Sequence, residues 1–135
     1  MPYISLKMTQ PEERFILTRD LHFNTIKITD ITCDINGFAP LLTNVLLQLN
    51  EYNENHFVFA DAFNNNDNTE CLKNLPIIVG QKFSYSPVAM SPPDYENETQ
   101  QHTRYLRLKG VGTTGQAISA ADWGTSVLHI NIYFG

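Results

Sequence analysis

The stretch Ser126-Val127-Leu128-His129-Ile130-Asn131-Ile132-Tyr133-Phe134 decides the fold. Ser126, Leu128, Ile130, Ile132 and Phe134 share one parity, and Val127, His129, Asn131 and Tyr133 share the other. A period of two places the first set on one face of a β-strand and the second set on the opposite face. A strand that ends next to Gly135 and is patterned this sharply belongs inside a sheet, because a free tail gains nothing from alternation. Working back along the chain, Leu21-His22-Phe23-Asn24-Thr25-Ile26-Lys27-Ile28-Thr29-Asp30-Ile31-Thr32-Cys33 is crowded with β-branched residues and reads as a long strand with one buried face. Its apolar phase switches between Leu21/Phe23 and Ile26/Ile28, which predicts a β-bulge near Asn24.

Further strands are expected over Arg14 to Thr18, Asn44 to Asn50, His56 to Asp61, Leu75 to Val79, Lys82 to Pro87 and Thr103 to Val111. The segment Phe38 to Asn50 is ambiguous. Leu41, Leu42, Val45, Leu46 and Leu49 also fit a helical stripe opened by Pro40, and strand is the preferred reading because its neighbours are strands. Turns fall at Asn36-Gly37, Gly80-Gln81, Ser91-Pro92-Pro93-Asp94 and Gly110 through Gly115. About eight short strands joined by Pro, Gly and Asn loops predict an all-β fold: a single antiparallel β-sandwich over residues 1–135, with jelly-roll topology. Residues 1–13 read as an N-terminal arm that reaches onto a neighbouring subunit.

The chain has 135 residues, 42% of them hydrophobic and 17% charged, with a net charge of −5. That is too apolar for disorder, and no apolar run approaches the ~18 residues of a membrane span. The negative balance argues against nucleic acid, whose binders carry a basic face. The first residues show no basic segment leading into an apolar stretch, so no secretory signal is expected. Two cysteines, Cys33 and Cys71, are too few for a disulfide framework or a cysteine zinc site, and free buried thiols are expected. Of 13 asparagines, many crowd between Asn50 and Asn74, and Asn64-Asn65-Asn66-Asp67-Asn68 reads as a solvated loop. Asn97-Glu98-Thr99 is a formal glycosylation sequon, read here as a chance match.

No catalytic arrangement emerges. His22, His56, His102 and His129 are never spaced as metal ligands along one strand, so neither a cupin-type metal site nor any other cofactor is expected. Two histidines meeting across sheets would allow a pH-sensitive contact, which nothing in the sequence shows. Gly110-Val111-Gly112-Thr113-Thr114-Gly115 follows a strand and opens no helix, which leaves no phosphate cradle. Asp30, Asp34, Asp61 and Asp122 read as strand-end turn residues. The candidate ligand or interface residues are Trp123, Tyr85, Tyr95 and His129. Trp123, in the loop Ala120 to Thr125, either plugs one end of the sandwich, the favoured reading, or stands exposed as a stacking platform for a sugar or a partner. Tyr85, Tyr95 and Tyr105 flank Pro87 to Pro93, an arrangement suited to an arm lying on a neighbour or to a rigid loop. His129 falls on the less apolar face of the last strand and reads as a surface or interface residue.

From Leu75-Pro76-Ile77-Ile78-Val79-Gly80-Gln81-Lys82-Phe83-Ser84-Tyr85-Ser86-Pro87 onward the order is strand, tight turn, strand, proline. The strand Tyr105 to Lys109, the turn into Gln116-Ala117-Ile118 and the closing strand Val127 to Phe134 follow. This layout resembles the C-terminal half of single jelly-roll capsid proteins, the vertex (penton) and minor capsid proteins of virophages and polinton-like viruses. Ile26 to Ile31 before Asn36-Gly37 is similar to their early strand and loop. The likeness is one of layout, without a diagnostic motif, and the chain is too short for the insertion domain that such pentons commonly carry. The resemblance implies a non-enzymatic structural protein of the virion that assembles with itself, as a pentamer or trimer, and with other capsid proteins. Tyr133-Phe134-Gly135 also looks like the ending of tumour-necrosis-factor and C1q-like heads, which implies a trimeric head as one alternative; the other is a carbohydrate- or receptor-binding module with Trp123 and the tyrosine loop as its site.

Overall fold

The computed structural model describes residues 3–49, 61–63, 69–71, 73–87, 93 and 95–135; for 61–63, 69–71, 95 and 97 it describes the backbone alone. The chain is all-β, with strands β1 (Tyr3–Met8), β2 (Glu12–Ile35), β3 (Asn44–Leu49), β4 (Asp61–Phe63), β5 (Thr69–Cys71), β6 (Lys73–Pro76), β7 (Phe83–Tyr85), β8 (Tyr95–Val111) and β9 (Val127–Phe134). One short helix, α1 (Ala120–Trp123), interrupts them. Seven strands form one antiparallel sheet in the order β1-β9-β2-β8-β3-β6, with β7 also on β2, and β4 pairs with β5 separately.

β9 carries the alternation expected of it: Leu128, Ile130, Ile132 and Phe134 are buried and the residues between them are half-buried. β2 is the spine of the sheet. Its 24 residues absorb two of the expected strands, Arg14 to Thr18 and Leu21 to Cys33, into one. Its first half pairs with β8, while its second half pairs with β9 on one side and β7 on the other. The buried apolar residues of β2 come in steps, Leu21/Phe23, then Ile26/Ile28, then Ile31/Cys33. Each step coincides with a register shift, the first of them at Asn24. A bulge inserts residues without partners and so returns the apolar set to the core face after the phase has slipped.

At the second shift Thr29 Oγ donates to the Asn131 carbonyl (3.0 Å), and Asn131 Nδ2 donates to Asp30 (2.7 Å). Ser5 Oγ donates to the amide oxygen of the same Asn131, so one side chain fastens β1, β2 and β9 together. Asp30 therefore lies within a strand, and Asp122 within α1, where turn positions were expected.

The ambiguous segment Phe38 to Asn50 is a strand over Asn44–Leu49. Val45, Leu47 and Leu49 face the main core, and Leu46 is buried on the other side against Val111. Burial of both faces is what produced a stripe that also fits a helix. The helix that does form was not expected. Ser119 caps it by accepting from the Asp122 amide (3.1 Å), and Gly124, at φ +65°, ends it after one turn.

Within the segment 1–13, read from the sequence as an arm, Tyr3–Met8 pairs with β9, Tyr3 opposite Tyr133 through Met8 opposite Leu128, and Leu6 and Met8 are buried. Leu6 and Met8 follow the period of two and complete the β9 edge. The expected strand His56 to Asp61 falls outside the described residues apart from Asp61, as do the asparagine run 64–68 and the proline-rich residues 88–92.

Candidate functional site

The candidate site lies where β2 and β8 part company twice. The register runs from Ile16 opposite Tyr105 to Leu21 opposite Thr103, so Leu17–Asp20 stand against Arg104 alone. Beyond it, Phe23 pairs with Gln101 and Thr25 with Glu96, so the excursion passes to β8, where residues 97–100 stand against Asn24. Between these opposed excursions remains a short ladder of three rungs: Leu21 with Thr103, His22 with His102, and Phe23 with Gln101.

Alternation assigns the faces of this ladder. Leu21, Phe23 and Thr103 are buried beneath it, and Phe23 packs edge-on against Phe134 with ring centroids 5.2 Å apart. His22 and His102 stand together on the outer face, both exposed, with ring centroids 5.7 Å apart and planes inclined at 35°. The sheet thus creates the meeting of histidines that sequence spacing alone does not contain.

Local hydrogen bonds hold the excursions open. Arg104 lies across the first, its guanidinium donating to the carbonyls of Leu17 (3.4 Å) and Thr18 (3.3 Å) and standing 4.0 Å from Asp20. Thr103 Oγ donates to the Tyr105 carbonyl (2.8 Å) and accepts from its amide (3.3 Å), which ties the backbone of β8 to itself beside the first excursion. Across the second excursion, Asn24 Nδ2 donates to the Glu98 carbonyl (3.2 Å) and Gln101 Nε2 to the Thr99 carbonyl (3.1 Å). The first excursion frames a groove of about 550 Å³ lined by Ile4 of β1 and the run Leu17–His22 of β2. Its walls are apolar at Ile4, Leu17 and Leu21 and carry charge at Arg19 and Asp20, the composition of a small binding cleft.

The residues singled out from the sequence lie in separate surroundings. Trp123 is 1% exposed; it packs edge-on against Phe38 (5.1 Å), reaches towards Gly110 and donates from Nε1 to the Ser126 carbonyl (3.0 Å). Its indole plugs the end of the core and presents no face to a sugar. Tyr85, half-buried on β7, lies beneath the Lys73 ammonium at 4.1 Å. Tyr95 opens β8 opposite Ile26, with its side chain outside the described atoms. His129 Nε2 lies 2.5 Å from Asp34 Oδ2, both side chains about half exposed. Cys33 is a free, buried thiol held above its ordinary range by desolvation and then by the Asp34 charge.

Sequence reasoning had weighed His22 and His102 as possible ligands and set them aside, because nothing along the chain joins positions so far apart. The usable signal was the phase switch at Asn24, which marks where the ladder is distorted. Among the described residues no three His, Cys, Asp or Glu side chains gather into a metal-binding group, and no helix is long and apolar enough to cross a membrane. No family model matches this chain, and a search of curated proteins finds no match.

Proposed function

We propose that this chain is a non-enzymatic structural protein that self-assembles, a jelly-roll component of a virus capsid or virion surface. The observation that carries the reading is a set of exposed aliphatic residues on segments joined to one another. Ile35 is 49% exposed, Leu41 94%, Ile78 61% and Val79 54%. Two sets of hydrogen bonds join the segments that carry them. Asn36 Nδ2 donates to the carbonyls of Ile78 (2.8 Å) and Gln81 (2.6 Å), and the Ile77 amide donates to the Thr43 carbonyl (2.8 Å). Large aliphatic residues left exposed on joined segments form the kind of apolar surface that gains from being covered.

Two further features support assembly. Among the described residues β1 and β6 end the sheet, and edge strands invite pairing with another chain. A surface of Asn, Thr and Tyr with few charges is also cheap to desolvate. The jelly-roll part of the proposal draws on β2, whose halves serve different neighbours, as a strand shared between two layers would. The virion part rests on the layout that Leu75 to Phe134 shares with small capsid proteins.

Light scattering of the purified chain over a range of concentrations tests the reading. A closed pentamer supports a vertex role and a trimer a spike-like role, and in either case the double variant Leu41→Asp with Ile78→Asp lowers the mass. A monomer at every concentration, or a mass unchanged in that variant, overturns the proposal that this surface drives assembly.

A further inference from the structure

We propose that His22 and His102 form a two-imidazole binding site for a divalent transition-metal cation of the copper, nickel or zinc type. Partners directly opposite in an antiparallel ladder hold their Cβ atoms about 4.5–5.5 Å apart, so both side chains leave the sheet together. With metal–nitrogen bonds of about 2.0–2.1 Å, two imidazoles on one cation have ring centroids roughly 5–6 Å apart. The observed centroid separation of 5.7 Å falls within that span.

The second observation is the framing. Bulges re-aim side chains and gather beside functional sites, and here an excursion of β2 and an excursion of β8 bracket the histidine rung from opposite ends. Beneath the rung, Leu21, Phe23 and Thr103 are buried, which fixes the backbone from which both imidazoles project. Rigid, adjacent ligands lose little freedom on binding, and that favours chelation over single-histidine capture.

Among the described residues no third His, Cys, Asp or Glu joins the pair. Water, or a ligand group entering the groove that His22 also lines, would complete the coordination. Imidazole ligands select copper, nickel and zinc over magnesium and calcium, and copper binds most tightly in that series.

Calorimetric titration of the tag-free full chain with Cu²⁺, Ni²⁺ and Zn²⁺ at pH 7.5 tests the site, with Mg²⁺ and Ca²⁺ as controls. One transition-metal cation binds per chain, and the Mg²⁺ and Ca²⁺ controls give no heat. His22→Ala and His102→Ala each weaken binding at least about tenfold, whereas His129→Ala leaves it unchanged. Both substituted side chains are exposed, and circular dichroism verifies that the variants stay folded. His22→Gln and His102→Gln repeat the test with side chains of closer size. Absence of binding by all three cations, or binding unaltered in both alanine variants, overturns the proposal.

Discussion

The carbonyl oxygen of Gly37 occupies the space into which any side chain on Gly124 would grow. The crossing is reciprocal, because a Cβ on Gly37 would meet the Thr125 hydroxyl, and the Gly37 amide donates to Ser126 Oγ (2.8 Å). The loop after β2 and the loop before β9 thus touch backbone to backbone, with Trp123 directly beneath.

Gly124→Ala should therefore be among the costliest single-methyl additions in this chain. Its φ of +65° alone disfavours a side chain, and the Gly37 carbonyl adds a clash that only backbone movement relieves. We expect a loss above about 2 kcal/mol in urea unfolding. Gly80→Ala is the matched control: φ is +74°, with nothing within 4 Å of the added carbon. It should cost only the backbone share, about 1 kcal/mol. Equal losses at the two sites would show that the loop crossing is not tight in solution.

Trp123 is the chain's single tryptophan, so fluorescence reports its surroundings directly. Its emission should be blue-shifted and resist quenching by iodide until the protein unfolds. Trp123→Ala should cost about 3–5 kcal/mol through the cavity it leaves. Trp123→Phe restores most of the volume but strips the Ser126 carbonyl of its indole donor, at about 1–3 kcal/mol. Quenching of the native protein, or a spectral shift on adding a glycan, would contradict the buried position.

Cys33 should react with iodoacetamide far more slowly in the folded protein than in urea. Burial, and secondarily the Asp34 carboxylate, push its thiol pKa up in the folded state. The sign of the pH effect follows. Below the ordinary thiol pKa of about 8.5 both states hold the proton and the thiol contributes no pH dependence. Above it the unfolded chain releases the proton first, so stability falls as pH rises. Cys33→Ala should flatten that alkaline slope in unfolding curves collected between pH 7 and pH 10.

Removing residues 1–8 separates two roles for the N-terminal segment. As β1 of its own sheet it buries Leu6 and Met8, and its loss should cost about 3–6 kcal/mol. The exposed β9 edge should also promote aggregation. An arm lying on a neighbouring subunit would instead leave the chain's own unfolding midpoint unchanged and lower the oligomer mass.

Strand identity and the burial of β9 were legible because one alternating face suffices to specify them. The Asn24 bulge was legible too, since a slipped apolar phase has few other causes. The same signal between Ile28 and Ile31 marked a further shift that sequence reading passed over. Pairing was not legible: that His22 faces His102 depends on two excursions whose lengths are set by partners far along the chain. The single turn of α1 escaped because its cap, Ser119, and its stop, Gly124, lie too close together to leave a helical period. Trp123 is legible as a plug only by preference, because the Phe38 ring and the Ser126 carbonyl that hold it inside are not signalled by its own loop.

The pairing of β2 also governs how the chain leaves the ribosome. Tyr3 awaits Tyr133, whereas β2 waits first for Tyr85 of β7 and then for Lys109 of β8. At 5–20 residues per second, the wait of β2 for β7 is roughly 3–11 s. Throughout it, the nascent chain displays a long apolar strand able to zip onto an identical neighbour. The shifts in register at Leu17–Asp20, Asn24 and Thr29 interrupt any flat, in-register stack. Irregularities that shape a groove in the finished fold thus double as gatekeepers during synthesis, and straightening them would be expected to trade soluble yield for inclusion bodies.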